Sequence, residues 1–209
     1  MRQPYVGIYW TLPVNWAGFR DFPPSAEAAA AASKTIRYQR ERVHHHVEDD
    51  GGDLIAEIAF MDTRTDRATD AVRDVLHRHA PAFLIASPKV LNVRFEDNSH
   101  WRPNPFVHRA ASELGLDLIG LPPDPLLING HIFDPARHFA IWRKRDATAI
   151  ARLRFNADEA LSAALAATPL GEGRWQTIAK SLNAQHVRTI RGGAWTPENV
   201  RKVRLVGKS

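Results

Sequence analysis

Up to residue 121 the chain alternates short apolar runs with longer helix-forming stretches, and few folds accept that rhythm. Tyr5–Trp10 reads as a buried strand. Ser25 is placed to cap a helix that starts on the alanine run Ala26–Ala32 and continues at helical spacing through Ile36, Arg40, Val43 and Val47. Alanine has the best intrinsic helix propensity, and Gly51–Gly52 supply the stop. Leu54–Met61 is a second strand, and Thr65–His79 a second helix with Ala68, Val72, Val75, Leu76 and Ala80 on one face. Phe83–Ala86 reads as a third strand, Phe106–Leu114 as a third helix and Leu116–Leu121 as a fourth strand. Strands separated by helices imply an α/β fold, with a mainly parallel sheet flanked by helices.

Beyond that point the pattern changes. Residues 122–135 read as a proline-rich turn region, and Pro135–Arg145 and Thr148–Ala167 as two helices. Pro169–Gly173 is the linker candidate. The expected organisation is therefore an α/β domain over 1–145, a helical connector and linker over 146–173, and a basic segment over 174–209. In that segment Trp175, Ile178, Ala179 and Leu182 mark a short amphipathic helix, and Gly192–Gly193 force a turn. Thr196 suits an N-cap, Pro197 suits the first helical position, and Val200 and Val203 are expected to face inward. Arg201 and Lys202 then point outward, with Arg204 at the flank.

Charge follows the same division. From Gly171 to Ser209 there are eight basic and two acidic residues, a net +6, against +5 for all 209 residues. The other 170 residues therefore net −1. A basic excess confined to one end is the electrostatic footprint of a nucleic-acid-binding module, or else a solvated basic terminus. There are no cysteines, which excludes disulfides, thiol nucleophiles and cysteine-ligated zinc. No apolar stretch suffices to span a membrane, and the N-terminus has no signal-like core, so a cytoplasmic location is expected, nucleoid-associated when DNA-bound.

Several motif-like stretches favour structural explanations. There is no glycine-rich phosphate cradle. His44–His46 are consecutive, so on a regular helix they diverge by about 100° each and do not converge on one ion. His77 and His79 fall in a last helical turn, where they suit the helix dipole. Ser99–His100 are adjacent, which rarely gives nucleophile–base geometry. Asp62, Asp66 and Arg67 follow the second strand, at the edge where parallel sheets place sites, although helix capping explains the acids as well. No cofactor, metal or small-molecule substrate is expected.

The end of the chain resembles the serine recombinases, the resolvase/invertase family. The match runs through Ile178-Ala179, Leu182-Asn183, Thr189, Gly192-Gly193, Trp195 and Val200 to a basic end, with His186 where the family usually has glycine. His tolerates the left-handed conformation better than most residues. The N-terminal part is similar to the family's catalytic domain: Val6–Tyr9 match its first strand, Ile36, Gln39 and Arg42 its first helix, and Arg67 an arginine of its Asp-Arg-Pro segment. The resemblance implies a resolvase-like sheet with a small helix-turn-helix-like DNA-binding segment.

The same resemblance implies lost chemistry. The family's catalytic arginine falls on Thr11 and its nucleophilic serine on Pro13, which has no nucleophilic atom. Its later arginine cluster has no counterpart, and only Lys89 and Arg94 stand nearby as unaligned substitutes. The expectation is a DNA-binding protein without strand exchange, a homodimer or higher homo-oligomer on double-stranded DNA. Its contacts would come from Arg188, Thr189, Arg191, Gly192, Gly193, Trp195, Thr196, Asn199, Arg201, Lys202 and Arg204, with the Gly192–Gly193 amides able to approach a phosphate. Two alternatives stay open: a recombinase or nuclease using Thr11 or Ser99, and a non-enzymatic partner-binding protein.

Overall fold

The computed structural model describes residues 2–14, 19, 21–23, 25–62, 73–74, 76–79, 81, 83, 87–96, 105–189 and 192–206. Its contacts divide the chain into two units, Met1–Ile141 and Trp142–Ser209.

The first unit is built on β1 (Pro4–Thr11), β2 (Asp53–Met61), β3 (Lys89–Val93) and β4 (Asp117–Leu121). Their order is β2-β1-β3-β4 and every pairing is parallel. β1 pairs with β2 along its whole length, from Pro4↔Asp53 to Thr11↔Met61, with one bulge between Tyr5 and Val6. From Tyr5 onward every residue of β1 is buried, as expected of an inner strand covered on both faces. Tyr5 and Tyr9 join one core with Leu91, Val93 and residues of α1 (Ala26–Ala32) and α2 (Lys34–Asp49). Val6, Ile8 and Trp10 join another with Ile58, Phe60, Leu76, Phe83, and Val107 and Ala110 of α3 (Pro105–Glu113). The alternation of side chains along β1 thus separates two apolar layers.

Four expectations need correction. The helix after Ser25 is broken at Ser33, whose extended backbone (φ −129°, ψ 118°) ends α1 and caps α2, its Oγ accepting from Ile36 N–H at 3.4 Å. Serine favours caps over helix interiors because its hydroxyl competes for backbone groups. The third strand described is Lys89–Val93; of the expected Phe83–Ala86, Phe83 is helical, its carbonyl accepting from Ser87 N–H at 2.8 Å, and residues 84–86 lie outside the described residues. Ser87 at φ 44° and Pro88 then separate helix from strand. Residues 122–135 hold a hairpin, β5 (Leu126–Ile128) and β6 (His131–Phe133), turned by Asn129-Gly130 at φ 51° and 76°. Asn-Gly is the favoured pair for a two-residue turn with both φ positive. Finally, Pro135–Ala167 is one helix, α4, of 33 residues. Nothing between Arg145 and Thr148 breaks it, and Thr148 turns its hydroxyl back to Lys144 O at 2.9 Å. Residues 65–72 and 75, part of the expected second helix, lie outside the described residues, while those described between 73 and 79 are helical.

In the second unit, α5 (Arg174–Ala184) and α6 (Pro197–Val206) follow the later part of α4. Ala157, Leu161 and Ala164 of α4, Ile178, Ala179 and Leu182 of α5, Trp195, and Val200 of α6 form its core. The basic segment from residue 174 therefore takes part of its core from α4.

Candidate nucleic-acid interface

The resemblance directs attention first to the end of β1. Thr11 is the last residue of that strand and only 8% exposed. Its carbonyl accepts from Asp62 N–H at 2.9 Å, and its hydroxyl faces the Leu12 carbonyl at 3.4 Å. Pro13 follows, half-buried. β3 pairs with β1 from Tyr5↔Lys89 to Gly7↔Leu91. Further along β1, Gln39 of α2, fully buried, closes on the backbone: Trp10 N–H donates to its Oε1 at 3.1 Å, and its Nε2 donates to Trp10 O at 2.9 Å. Trp10 itself is packed in the core on the opposite face from Thr11. Trp16, Asp66, Arg67 and Ser99 lie outside the described residues.

The two basic substitutes stand far apart. Lys89 opens β3, at the amino edge of the sheet, whereas Arg94 follows its last residue, a span of about 16 Å at ~3.3 Å per residue. The Arg94 side chain lies across Gly120, where a Cβ would come within 2.3 Å of its Cδ. The polar side chains of this unit close on one another instead. Glu57 takes Arg40 through Nε at 2.8 Å and Nη2 at 3.1 Å, the Tyr9 hydroxyl at 3.0 Å and His44 Nε2 at 3.0 Å. Burial pushes the Glu57 carboxyl up, but the hydrogen bonds from Arg40, His44 and Tyr9 outweigh it and hold the carboxyl below its ordinary range. Tyr9 is pushed well above the usual phenol range, chiefly by burial and then by the Glu57 charge. Its ring folds over Gly7, where a Cβ would lie 2.3 Å from the hydroxyl. His46 instead sets its ring edge-on to Tyr5. Among the described residues no group of His, Asp and Glu is placed to hold a metal ion.

The second unit is organised differently. Each residue of the family-like pattern has a structural task there. Ile178, Ala179, Leu182 and Val200 are core. Asn183 grips the backbone of Trp195 twice, Trp195 N–H donating to Oδ1 at 2.8 Å and Nδ2 donating to Trp195 O at 2.9 Å. His186 adopts φ 56°, the left-handed turn its position demands. Thr189 closes the glycine turn: Gly192 N–H donates to its carbonyl at 2.7 Å, and Gly193 N–H to its hydroxyl at 3.1 Å. Both glycine amides are thereby engaged inside the turn, which corrects the expectation that they approach a phosphate. Gly192 itself sits at φ 78°, which favours glycine. Trp195 is 5% exposed and belongs to the core rather than the surface.

Polar and cationic side chains of this segment face outward. Arg188, Thr196, Asn199, Arg201 and Lys202 are exposed. Thr196 caps α6 through Oγ1, accepting from Asn199 N–H at 3.2 Å, and Pro197 is its first residue. Lys202 Nζ pairs with Glu198 Oε1 one turn earlier at 2.7 Å. That hydrogen bond and charge, with a smaller contribution from Arg201, hold the Glu198 carboxyl below its usual range. Val203, expected to face inward, is 39% exposed. Three residues beyond Val200 it sits some 60° off the buried line. Arg191 and the side chain of Arg204 lie outside the described residues.

Sequence reasoning missed part of the charge. α4 adds Arg143, Lys144, Arg145, Arg152 and Arg154, all exposed, so Trp142–Ser209 carries thirteen basic and five acidic residues, a net +8. The run Trp142–Asp146, with three consecutive basic residues, carries that signal in the sequence.

Fold and surface together define an α/β protein with a four-stranded parallel sheet and a separate, strongly basic helical unit. Comparison of the chain with known protein families, with curated proteins and with solved structures finds no match. No helix among the described residues is long and apolar enough to cross a membrane.

Proposed function

We propose that this chain is a DNA-binding protein resembling the serine recombinases, with their strand-exchange chemistry lost. On this reading α5 and α6 would act as a helix-turn-helix-like pair that holds duplex DNA, and the α/β unit would serve as a dimerisation or partner platform. One observation carries the reading: Arg188, Arg201 and Lys202 are held on the outside of a small, well-cored unit of net charge +8. Such a unit attracts a polyanion and gives its cations fixed positions. The loss of chemistry is supported by Pro13 in place of a hydroxyl nucleophile and by the separation of Lys89 from Arg94. Thr11, buried at the end of β1, is a poor substitute nucleophile, because a DNA phosphate cannot reach a hydroxyl enclosed by protein.

The test is duplex binding by fluorescence anisotropy across a salt series. Affinity should fall steeply as salt rises, since each phosphate neutralised releases counterions. A flat salt response, or no binding at low salt, would overturn the proposal. A covalent protein–DNA adduct on supercoiled substrate would establish the enzymatic alternative.

A further inference from the structure

Several amides around the first turn of α6 are already engaged within the fold. Pro197 has no N–H to offer. Asn199 N–H is taken by Thr196 Oγ1, and Val200 N–H by the Thr196 carbonyl at 3.1 Å. In the preceding loop, Trp195 N–H is taken by Asn183, and the two glycine amides by Thr189. Glu198 then adds a full negative charge, 64% exposed, to this end of the helix. One turn on, Arg201 and Lys202 make the same helix cationic.

A carboxylate is repelled by the sugar–phosphate backbone. The part of a duplex that rewards it is a base edge bearing an exocyclic amino group. In the major groove that group is the cytosine N4 amine, while adenine is better matched by the amide of Asn or Gln. A recognition helix presents its N-terminal residues to base edges. Resting on the reading of this unit as DNA-binding, we infer that Glu198 is a specificity-determining residue that accepts a hydrogen bond from cytosine N4, and that Lys202 is its latch. In the free protein the 2.7 Å ion pair holds Glu198 along the helix. On DNA, Lys202 exchanges the carboxylate for a phosphate, and the released carboxylate turns to the base. Backbone contact and base reading are thereby coupled through one side-chain exchange.

The experiment is selection of binding sites from a randomised duplex pool by the full chain, followed by titration of the recovered site. Wild type, Glu198→Gln, Glu198→Ala and Lys202→Ala are compared. Both side chains are exposed, so the variants should fold, which circular dichroism checks. Wild type should recover a motif with one cytosine that Glu198→Ala loses, discrimination at that base falling roughly tenfold, and that Glu198→Gln shifts toward adenine. Lys202→Ala should keep the cytosine while the slope of log affinity against log salt falls by about one. If both Glu198 variants bind every sequence more tightly and the motif is unchanged, the acid merely opposes phosphate and the inference fails. Wild-type binding without any sequence preference also overturns it. Absence of duplex binding by wild type overturns the underlying proposal instead.

Discussion

The two units use charged side chains in opposite ways. Met1–Ile141 has fifteen basic and eighteen acidic residues, a net −3, against +8 for the remainder. In the first unit Glu57 is shared by Arg40, His44 and Tyr9, and Gln39 completes the hydrogen bonding of Trp10. These groups face inward and complete one another. In the second unit the polar groups inside the fold, Asn183 and Thr189, hold the backbone in shape, while Arg188, Arg201 and Lys202 stand outside. The difference teaches where a ligand can act. A polar cluster that has satisfied itself stabilises a fold, whereas charges kept solvated on a rigid frame remain available for a partner.

The sharpest way to break that comparison is to remove the outward cations. Arg188→Ala/Arg201→Ala/Lys202→Ala should weaken duplex binding on the order of 100- to 1000-fold, or about 3–4 kcal/mol, and reduce the salt slope by about 3. Its melting temperature should hardly move, because exposed substitutions cost little. Equal binding by wild type and triple variant would move the function away from this surface. Truncation at residue 171 is a poorer test, since it strips the cover from Leu161 and Ala164.

A second break targets the frame. Asn183→Ala leaves both backbone groups of Trp195 without their partner, at a cost of about 3 kcal/mol. It should lower the thermal midpoint, read by tryptophan fluorescence, and weaken DNA binding with every surface cation still present. Unchanged stability would show that water replaces the amide and that the grip is dispensable.

The third substitution falls in the first unit. Glu57→Gln should cost about 2 kcal/mol, because Arg40 is left half-buried without its countercharge. A pH dependence accompanies it. The folded carboxyl lies below its ordinary 4.5, so its stabilisation is complete above that value and drains as pH falls through the folded value. Wild type should therefore lose this increment in acid, while Glu57→Gln, with no proton to gain, should show a flatter acid limb in urea titrations. Duplex affinity at neutral pH should stay within about twofold, because the cluster belongs to the unit of net charge −3 rather than to the basic one. Parallel acid limbs would show that Glu57 is not the titrating group.

How much of this was legible in the sequence depended on where local signals agree with tertiary demands. β1 was, because a strand buried on both faces is a continuous apolar run. The cap at Thr196 and the core role of Val200 were, because each rests on short-range chemistry. Phe83 was not, because a short apolar segment fits a helix as well as a strand. The Asn129-Gly130 hairpin has a local signal, masked by the prolines around it. The Tyr9–Glu57 cluster joins residues 48 apart in the chain. It depends on the parallel register that sets Glu57 beside Gly7, which no local pattern encodes.

The smallest expected effect sharpens the contrast further, because both units contain the same device. Ser25 caps α1, its Oγ accepting from Ala28 N–H at 3.2 Å, and Thr196 caps α6 with the same distance to Asn199 N–H. Removal of either hydroxyl by alanine should cost about 1 kcal/mol. The consequences should differ by unit. Ser25→Ala loosens the start of a helix facing the sheet, and should lower the melting temperature without touching DNA affinity. Thr196→Ala frays the first turn of the helix that carries Asn199, Arg201 and Lys202. It should lower stability by a similar amount and also weaken duplex binding about threefold, since those side chains would be less well held before contact. Equal effects of the two substitutions on binding would mean that the division of labour between the units is wrong. A loss confined to Thr196→Ala would tie affinity to the order of a single helical turn.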